Sequence, residues 1–374
     1  ADLLRAMKVD SRILILASTI LAGVCDSDNK SSDEFSEDSY WTKVCEKARR
    51  HHMGITIVAD TAFQNAQAAT GYNQHLYLQT FVDTVNLYFT ELRCSNVKLV
   101  LIGVVNSTAG DESIFEIFKN TTKSSGKTLD AHLTLGMFRE WANNQSFFNN
   151  SDVAYLLTGH QVFDFLLAYR LEMKAASYAY GLCSRRRVAL SSDDGKTFSG
   201  VPAAVQQIAN LLGVEWDDKR NEQGCTPKDG HVMSRNGEPT QYPTFSKCSK
   251  ESWDERTLMS IGGSPCYKLN MSSPTSERRT PYTFFNCTEP CKNITGESEN
   301  NVLNVPSQAR QNSKTLDICK INCCPQYNNQ LHETKKGAPD GMPCGQLQVC
   351  LQQVCIKLPE QRSEVSKVPT GGDK

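Results

Sequence analysis

The sequence predicts an α/β domain followed by a small disulfide-held module, on three observations. Apolar segments of strand and helix character alternate as far as Lys268. Composition then shifts to Ser, Thr, Pro and charge. Beyond that shift, eight cysteines fall between Cys287 and Cys355 with little periodic hydrophobicity. Such a segment cannot bury a large core and depends on disulfides.

Taken in order, His52–Asp60 (HMGITIVAD) reads as a buried strand with a β-branched centre and a polar end. In Gly71–Leu92, apolar Leu78, Phe81, Val82, Val85, Phe89 and Leu92 recur at helical spacing and predict an amphipathic helix. Val97–Val105 is nearly all apolar, as a strand buried on both faces requires. Ser124–Trp141 reads as helical in its later half, Asp152–Thr158 as a third strand and Arg187–Leu190 as a short fourth. A further helix, Pro202–Leu212, begins after Ser199-Gly200 with Pro in its first turn and stops at Gly213. This strand-helix alternation implies a sheet with crossover helices.

The chain divides on this reading into a signal peptide (1–25), an acidic flexible segment (26–44), the α/β domain (45–268), a linker (269–284), a cysteine-rich module (285–356) and a disordered tail (357–374). Met7-Lys8 and Arg12 precede the apolar run Ile13–Val24, too short to span a bilayer and followed by small residues, which is a secretory signal pattern. Cleavage is expected at Gly23-Val24-Cys25, and Ala1–Ala6 are read as upstream of the initiator. Removing Cys25 from fifteen cysteines leaves an even number, as an oxidising compartment favours. Sequons occur at Asn29, Asn106, Asn120, Asn144, Asn149, Asn270, Asn286 and Asn293. A secreted glycoprotein is therefore expected. A net charge of −1, with one short basic run (Arg185–Arg187), gives no footprint for nucleic acid or anionic membrane.

The informative constellation is Val205–Asp217. Metal-dependent proteases of the metzincin type place two His at i and i+4 on a helix, a Glu beside the first, a turn Gly, and a third His three residues later. On that spacing this chain has Gln206, Gln207 and Asn210, then Gly213, Trp216 and Asp217. Around it stand Leu129–Leu135, Val153–Gly159, Gly181-Leu182-Cys183, Val188–Ser191, Cys225, His231-Val232-Met233-Ser234 where a Met-turn belongs, Phe245–Ser249 and Pro265-Cys266. Together these resemble the reprolysin (adamalysin) family, most closely the secreted reprolysins of tick saliva. The resemblance runs from His52 to Leu269 and continues in Ala338–Gly345, Val349-Cys350 and Cys355, which look like the cysteine-rich module of such proteases.

The resemblance implies a metzincin-like mixed, twisted five-stranded sheet with helices, split by a cleft. It also implies disulfides Cys183–Cys266 and Cys225–Cys248, which leaves Cys45 for Cys94; the eight tail cysteines allow 105 pairings. Gly213 and Met233 are expected to be structural. The chain departs from the family where chemistry happens. Amides donate weakly to zinc and an indole nitrogen has no free lone pair, so Gln206, Asn210 and Trp216 fail as ligands. Gln207 cannot take a proton from water as a carboxylate would. His51-His52, His75, His132, His160, His231 and His332 are each read as surface or structural residues. Hence no catalytic residue, metal or cofactor is expected. The absence of a long propeptide before Trp41 fits a protein with nothing to keep latent. The leading expectation is a secreted pseudoprotease that binds an extracellular host protein in haemostasis, vascular function or immunity, with no membrane span. The competing ones are an active zinc metalloendopeptidase with an atypical site and a decoy antigen without a specific partner.

Overall fold

A computed structural model describes residues 41–45, 51–94, 97–120, 127–163, 175–217, 224–234, 243–261, 279–285, 302–304, 318–327, 330–331 and 334–358. The expected signal peptide, Asn29, Cys266, Asn270, Asn286, Asn293, His332 and residues 359–374 lie outside them. Val44–Lys374 form one compact unit.

Its centre is a five-stranded sheet built from β1 (His51–Ala59), β2 (Val97–Asn106), β5 (Val153–Thr158), β7 (Ala175–Ser177) and β8 (Val188–Ser192), in the order β2-β1-β5-β8-β7. The pairs β1/β2, β1/β5 and β5/β8 are parallel, and only the edge strand β7 runs antiparallel to its neighbour. The sheet is mixed, as expected. Because side chains alternate along a strand, each strand feeds two cores. Met53, Ile55, Ile57 and Ala59, with Val153, Tyr155 and Leu157, point to one face, where α2 (Gln74–Phe89) and α5 (Val201–Leu212) cover them. Val58, Ala154, Leu156, Val188 and Leu190 point to the other, beneath α4 (Ala131–Asn143) and Phe115 of α3 (Ala109–Phe115).

Polar caps set the helix starts. The side chain of Asp60 accepts from the N–H of Phe63 to open α1 (Thr61–Ala68), that of Asn73 from Leu76 to open α2, and that of Asp130 from His132 and Leu133 to open α4. The expected helix within Ser124–Trp141 thus begins only at Ala131. The residues before it form β4 (Lys127–Asp130), which pairs with β3 (Phe118–Asn120) and β6 (Val162–Phe163). The helix α6 (Lys247–Ile261) was not expected, because its sequence KCSKESWDERTLMSI has no continuous apolar stripe.

The linker reading of 269–284 needs correction at its end. Pro281–Phe284 form a short helix, α7, opened by a Thr280 capping box. Phe284 and Phe285 lie against Tyr72, Tyr77 and Phe198 of the main domain. Composition misled here, since Ser, Thr and Pro outweighed three aromatics within four residues.

The cysteine-rich segment carries β10 (Lys320–Tyr327) between β9 (Val302–Asn304) and β12 (Thr334–Gly337), with β11 (Gln330–Leu331) pairing its end. A second small sheet joins β13 (Pro343–Gly345), β14 (Gln348–Leu351) and β15 (Val354–Lys357). Disulfides join Cys319 to Cys350 and Cys344 to Cys355. The module extends past the expected tail boundary at 357, since Leu358 donates its N–H to the Leu347 carbonyl and packs on the main core. Leu351 is fully buried in that core. Asp340 accepts from the Tyr88 hydroxyl at 3.2 Å and from the Gln352 N–H at 2.7 Å.

Candidate functional site

The helix α5 starts where the chain passes close to its neighbours. A Cβ on Gly200 would sit 2.5 Å from the Ser192 carbonyl oxygen, so only glycine fits. The Gly200 N–H donates to buried Asp193, which also accepts from Tyr77 Oη at 2.7 Å and the Gly195 N–H at 2.8 Å. Burial pushes the Asp193 carboxyl up to about 6 despite these donors. At the far end Gly213 adopts φ 91°, the left-handed conformation that stops the helix. The last-turn carbonyls are taken by the N–H groups of Val214, Gly213, Tyr180 and Leu182.

Three side chains of the protease-like frame project from α5. Gln206 donates its Nε2 to the Val232 carbonyl at 2.6 Å and to that of Ser234 at 3.3 Å. Gln207 and Asn210 instead meet on Ser177 of the edge strand β7. The Ser177 hydroxyl donates to Gln207 Oε1 at 2.7 Å and accepts from Asn210 Nδ2 at 2.8 Å. Ser177 therefore uses one donor and one acceptor to tie both amides to the sheet. Gln207 and Asn210 are buried, and Gln207 Nε2 has no hydrogen-bond partner among the described residues.

Beyond the turn, Trp216 is buried in the main apolar core with Val214, Val232, Met233 and Phe245. Asp217 donates its N–H to the Met233 carbonyl, and its Oδ1 accepts from Ser246 Oγ at 2.5 Å and Ser249 Oγ at 3.0 Å. Desolvation raises its pKa against the pull of these hydroxyls. His231–Ser234 forms a tight turn in which the Ser234 N–H donates to the His231 carbonyl and Met233 is fully buried. This turn holds Gln206 and Asp217 together. Disulfides link Cys45 to Cys94 and Cys225 to Cys248 around the same domain. Cys183 is also disulfide-bonded, and Cys266, the partner the family resemblance implies, lies outside the described residues.

A sequence profile described as Reprolysin (M12B) family zinc metalloprotease matches residues 51–267, more than half of the 374. The chain belongs to the reprolysin family. Among solved structures, metalloproteinase-II from Bacteroides fragilis aligns at 12% identity with a TM-score of 0.35, over 56% of this chain and 54% of its own. A chaperone-substrate complex aligns at 10% and 0.35, over 56% of this chain and 38% of its own. This reprolysin chain thus spans about half or less of those chains.

The structure also shows residues that sequence reading passed over. Ser177 gave no signal, because β7 is three residues long and has no apolar run. His160, read as isolated, stands beside Asp60 and Glu116. The sulfurs of Cys319, Cys344 and Cys350 also cluster, but each is in a disulfide. Of the other histidines, His75 is exposed and His52, His132 and His231 are half-buried.

Proposed function

We propose that this reprolysin is a secreted, catalytically inactive family member that binds an extracellular protein. The observation that carries the reading is the Ser177 network. A catalytic zinc needs imidazole, carboxylate or thiolate lone pairs around an open position. At the spacing where the family holds its ligands, Gln206 directs an amide N–H to the turn, Asn210 directs one to Ser177, and Trp216 lies in the apolar core. Buried amide N–H groups present positive dipole ends, and Gln207 Nε2 adds another with no acceptor. These residues do not fit zinc, and the general-base position is Gln207, an amide that cannot take a proton as a carboxylate would.

Four described sequons, at Asn106, Asn120, Asn144 and Asn149, are exposed as glycan acceptors must be. Four disulfides join described cysteines, which favours an oxidising compartment. No helix among the described residues is long and apolar enough to cross a membrane. The similarity to tick salivary reprolysins points to a host protein of haemostasis, the vasculature or immunity as the partner. Affinity capture from plasma with the full chain is expected to recover a saturable ligand, while fibrinogen and gelatin stay intact. Chelator-sensitive digestion of either protein would overturn the reading in favour of a working metalloendopeptidase.

A further inference from the structure

The sheet order places a switch point in the chain connections between β1 and β5. From β1 the chain crosses to β2 on one side, over the face covered by α2; from β2 it crosses back to β5 on the other side of β1, over the face covered by α4. Connections on opposite faces diverge between β1 and β5. At the carboxyl ends of such strands open α/β sheets leave room for ligands.

Three side chains converge there. Asp60 follows β1, His160 follows β5, and Glu116 ends α3. A carboxylate oxygen from each acid and a ring nitrogen of His160 lie within 4.8 Å of one another, with His160 Nε2 3.9 Å from Glu116 Oε2. Gly159 makes the approach possible, since a Cβ there would sit 2.5 Å from the backbone of Ala62 and Phe63. Its N–H, with that of Phe63, occupies Asp60 Oδ1. Asp60 is fully buried and the Glu116 side chain 5% exposed, yet among the described residues no N–H or hydroxyl donor reaches Asp60 Oδ2 or Glu116 Oε1. His160 is 36% exposed at its side chain and opens the cluster to solvent.

The charges around it do not balance. Glu112, one turn before Glu116, holds its Oε1 against the Thr61 N–H, Thr61 Oγ1 and Ser107 Oγ. Among the described residues no Lys or Arg forms an ion pair with Asp60, Glu112 or Glu116. Two carboxylates and one imidazole gathered without a Lys or Arg form a donor set whose charge a divalent cation would balance.

We propose that Asp60, Glu116 and His160 form a zinc-class divalent metal site at the carboxyl ends of β1 and β5, independent of the protease-like helix α5. One imidazole nitrogen with two carboxylates suits zinc or a similar first-row ion rather than calcium, which takes six to eight oxygens. Bound there, the ion ties α1, α3 and the β5–β6 turn together.

Equilibrium dialysis of the full chain against zinc chloride, with elemental analysis, tests this site. The wild-type chain is expected to retain one zinc. His160→Ala and Glu116→Gln should each weaken retention by at least the roughly 10–100-fold that loss of even an outer-shell partner costs. A Gln206→Ala/Asn210→Ala chain should retain the ion unchanged. Cobalt substitution gives a second readout, a visible absorption band lost with His160. No retained zinc, or zinc retained equally by the His160 and Glu116 variants, would overturn the proposal. Zinc lost only in the Gln206/Asn210 variant would do so too, and would also count against the inactive-protease reading.

Discussion

Gln207 and Asn210 share a hydrogen-bond relay through the Ser177 hydroxyl, which satisfies Gln207 Oε1 and Asn210 Nδ2 on a buried helix face. A buried polar group left without a partner costs about 1–3 kcal/mol, so Ser177 offsets a cost that a bare apolar strand would leave in place. Asp193, at the start of the same helix, makes its residue-scale contribution through pH. Its pKa is raised from 3.8 to about 6, so the folded chain binds the proton more tightly than the unfolded one. That stabilisation is complete below pH ~4 and is lost as pH rises through ~6. Two units correspond to about 3 kcal/mol, at order-of-magnitude precision. Asp193→Asn does not titrate and sacrifices the acceptor for Gly200 at every pH. Urea unfolding at pH 4 and pH 7 should therefore show a drop about 3 kcal/mol smaller in the variant than in the wild type. Equal drops would refute the assignment. Asp340, also raised to about 6, titrates in the same window in both proteins and cancels in the comparison.

Among the elements, α5 owes its end to a single glycine. Gly213 holds φ 91°, and two of the four N–H donors that close the helix, those of Gly213 and Val214, belong to that turn. Gly213→Ala forces a side chain into the left-handed region and should cost about 1–2 kcal/mol, read as a lower denaturation midpoint with unchanged m. The frame was legible because helix spacing and the turn Gly are local signals. Strands β1, β2 and β5 were legible because they are apolar on both faces. What the sequence hid was non-local. Ser177 matters only because β7 folds beside α5, and His160 meets Asp60 only because β5 is the neighbour of β1. The short β3, β4 and β6 carry too few residues for a period, and α6 buries Trp253 and Cys248 without a continuous stripe. At 279–285, aromatic packing overrode a composition that read as linker.

At the scale of the whole molecule, the cysteine-rich module is coupled to the main domain rather than appended to it. Leu351 lies in the main core, Tyr88 reaches Asp340, and Phe284 and Phe285 close over Tyr77 and Phe198. Among the described residues the module's own cluster holds Cys319, Ala338, Met342 and Cys350, so the surface shared with the main domain contributes to its stability. The main domain and module should therefore unfold in one cooperative transition. Leu351→Ala should lower its midpoint by the equivalent of about 2–5 kcal/mol. Two separate calorimetric transitions, with only the later-sequence one shifted by the substitution, would contradict the coupling.

The central claim is that a reprolysin scaffold is retained here without the zinc chemistry of its family. It is tested most directly by incubating the full chain with fibrinogen at equal concentration, with added zinc or a chelator, and counting new peptide termini by mass spectrometry. The termini should match those of fibrinogen alone under both conditions. New termini that appear with zinc, disappear with chelator and are lost in Gln207→Ala would contradict it.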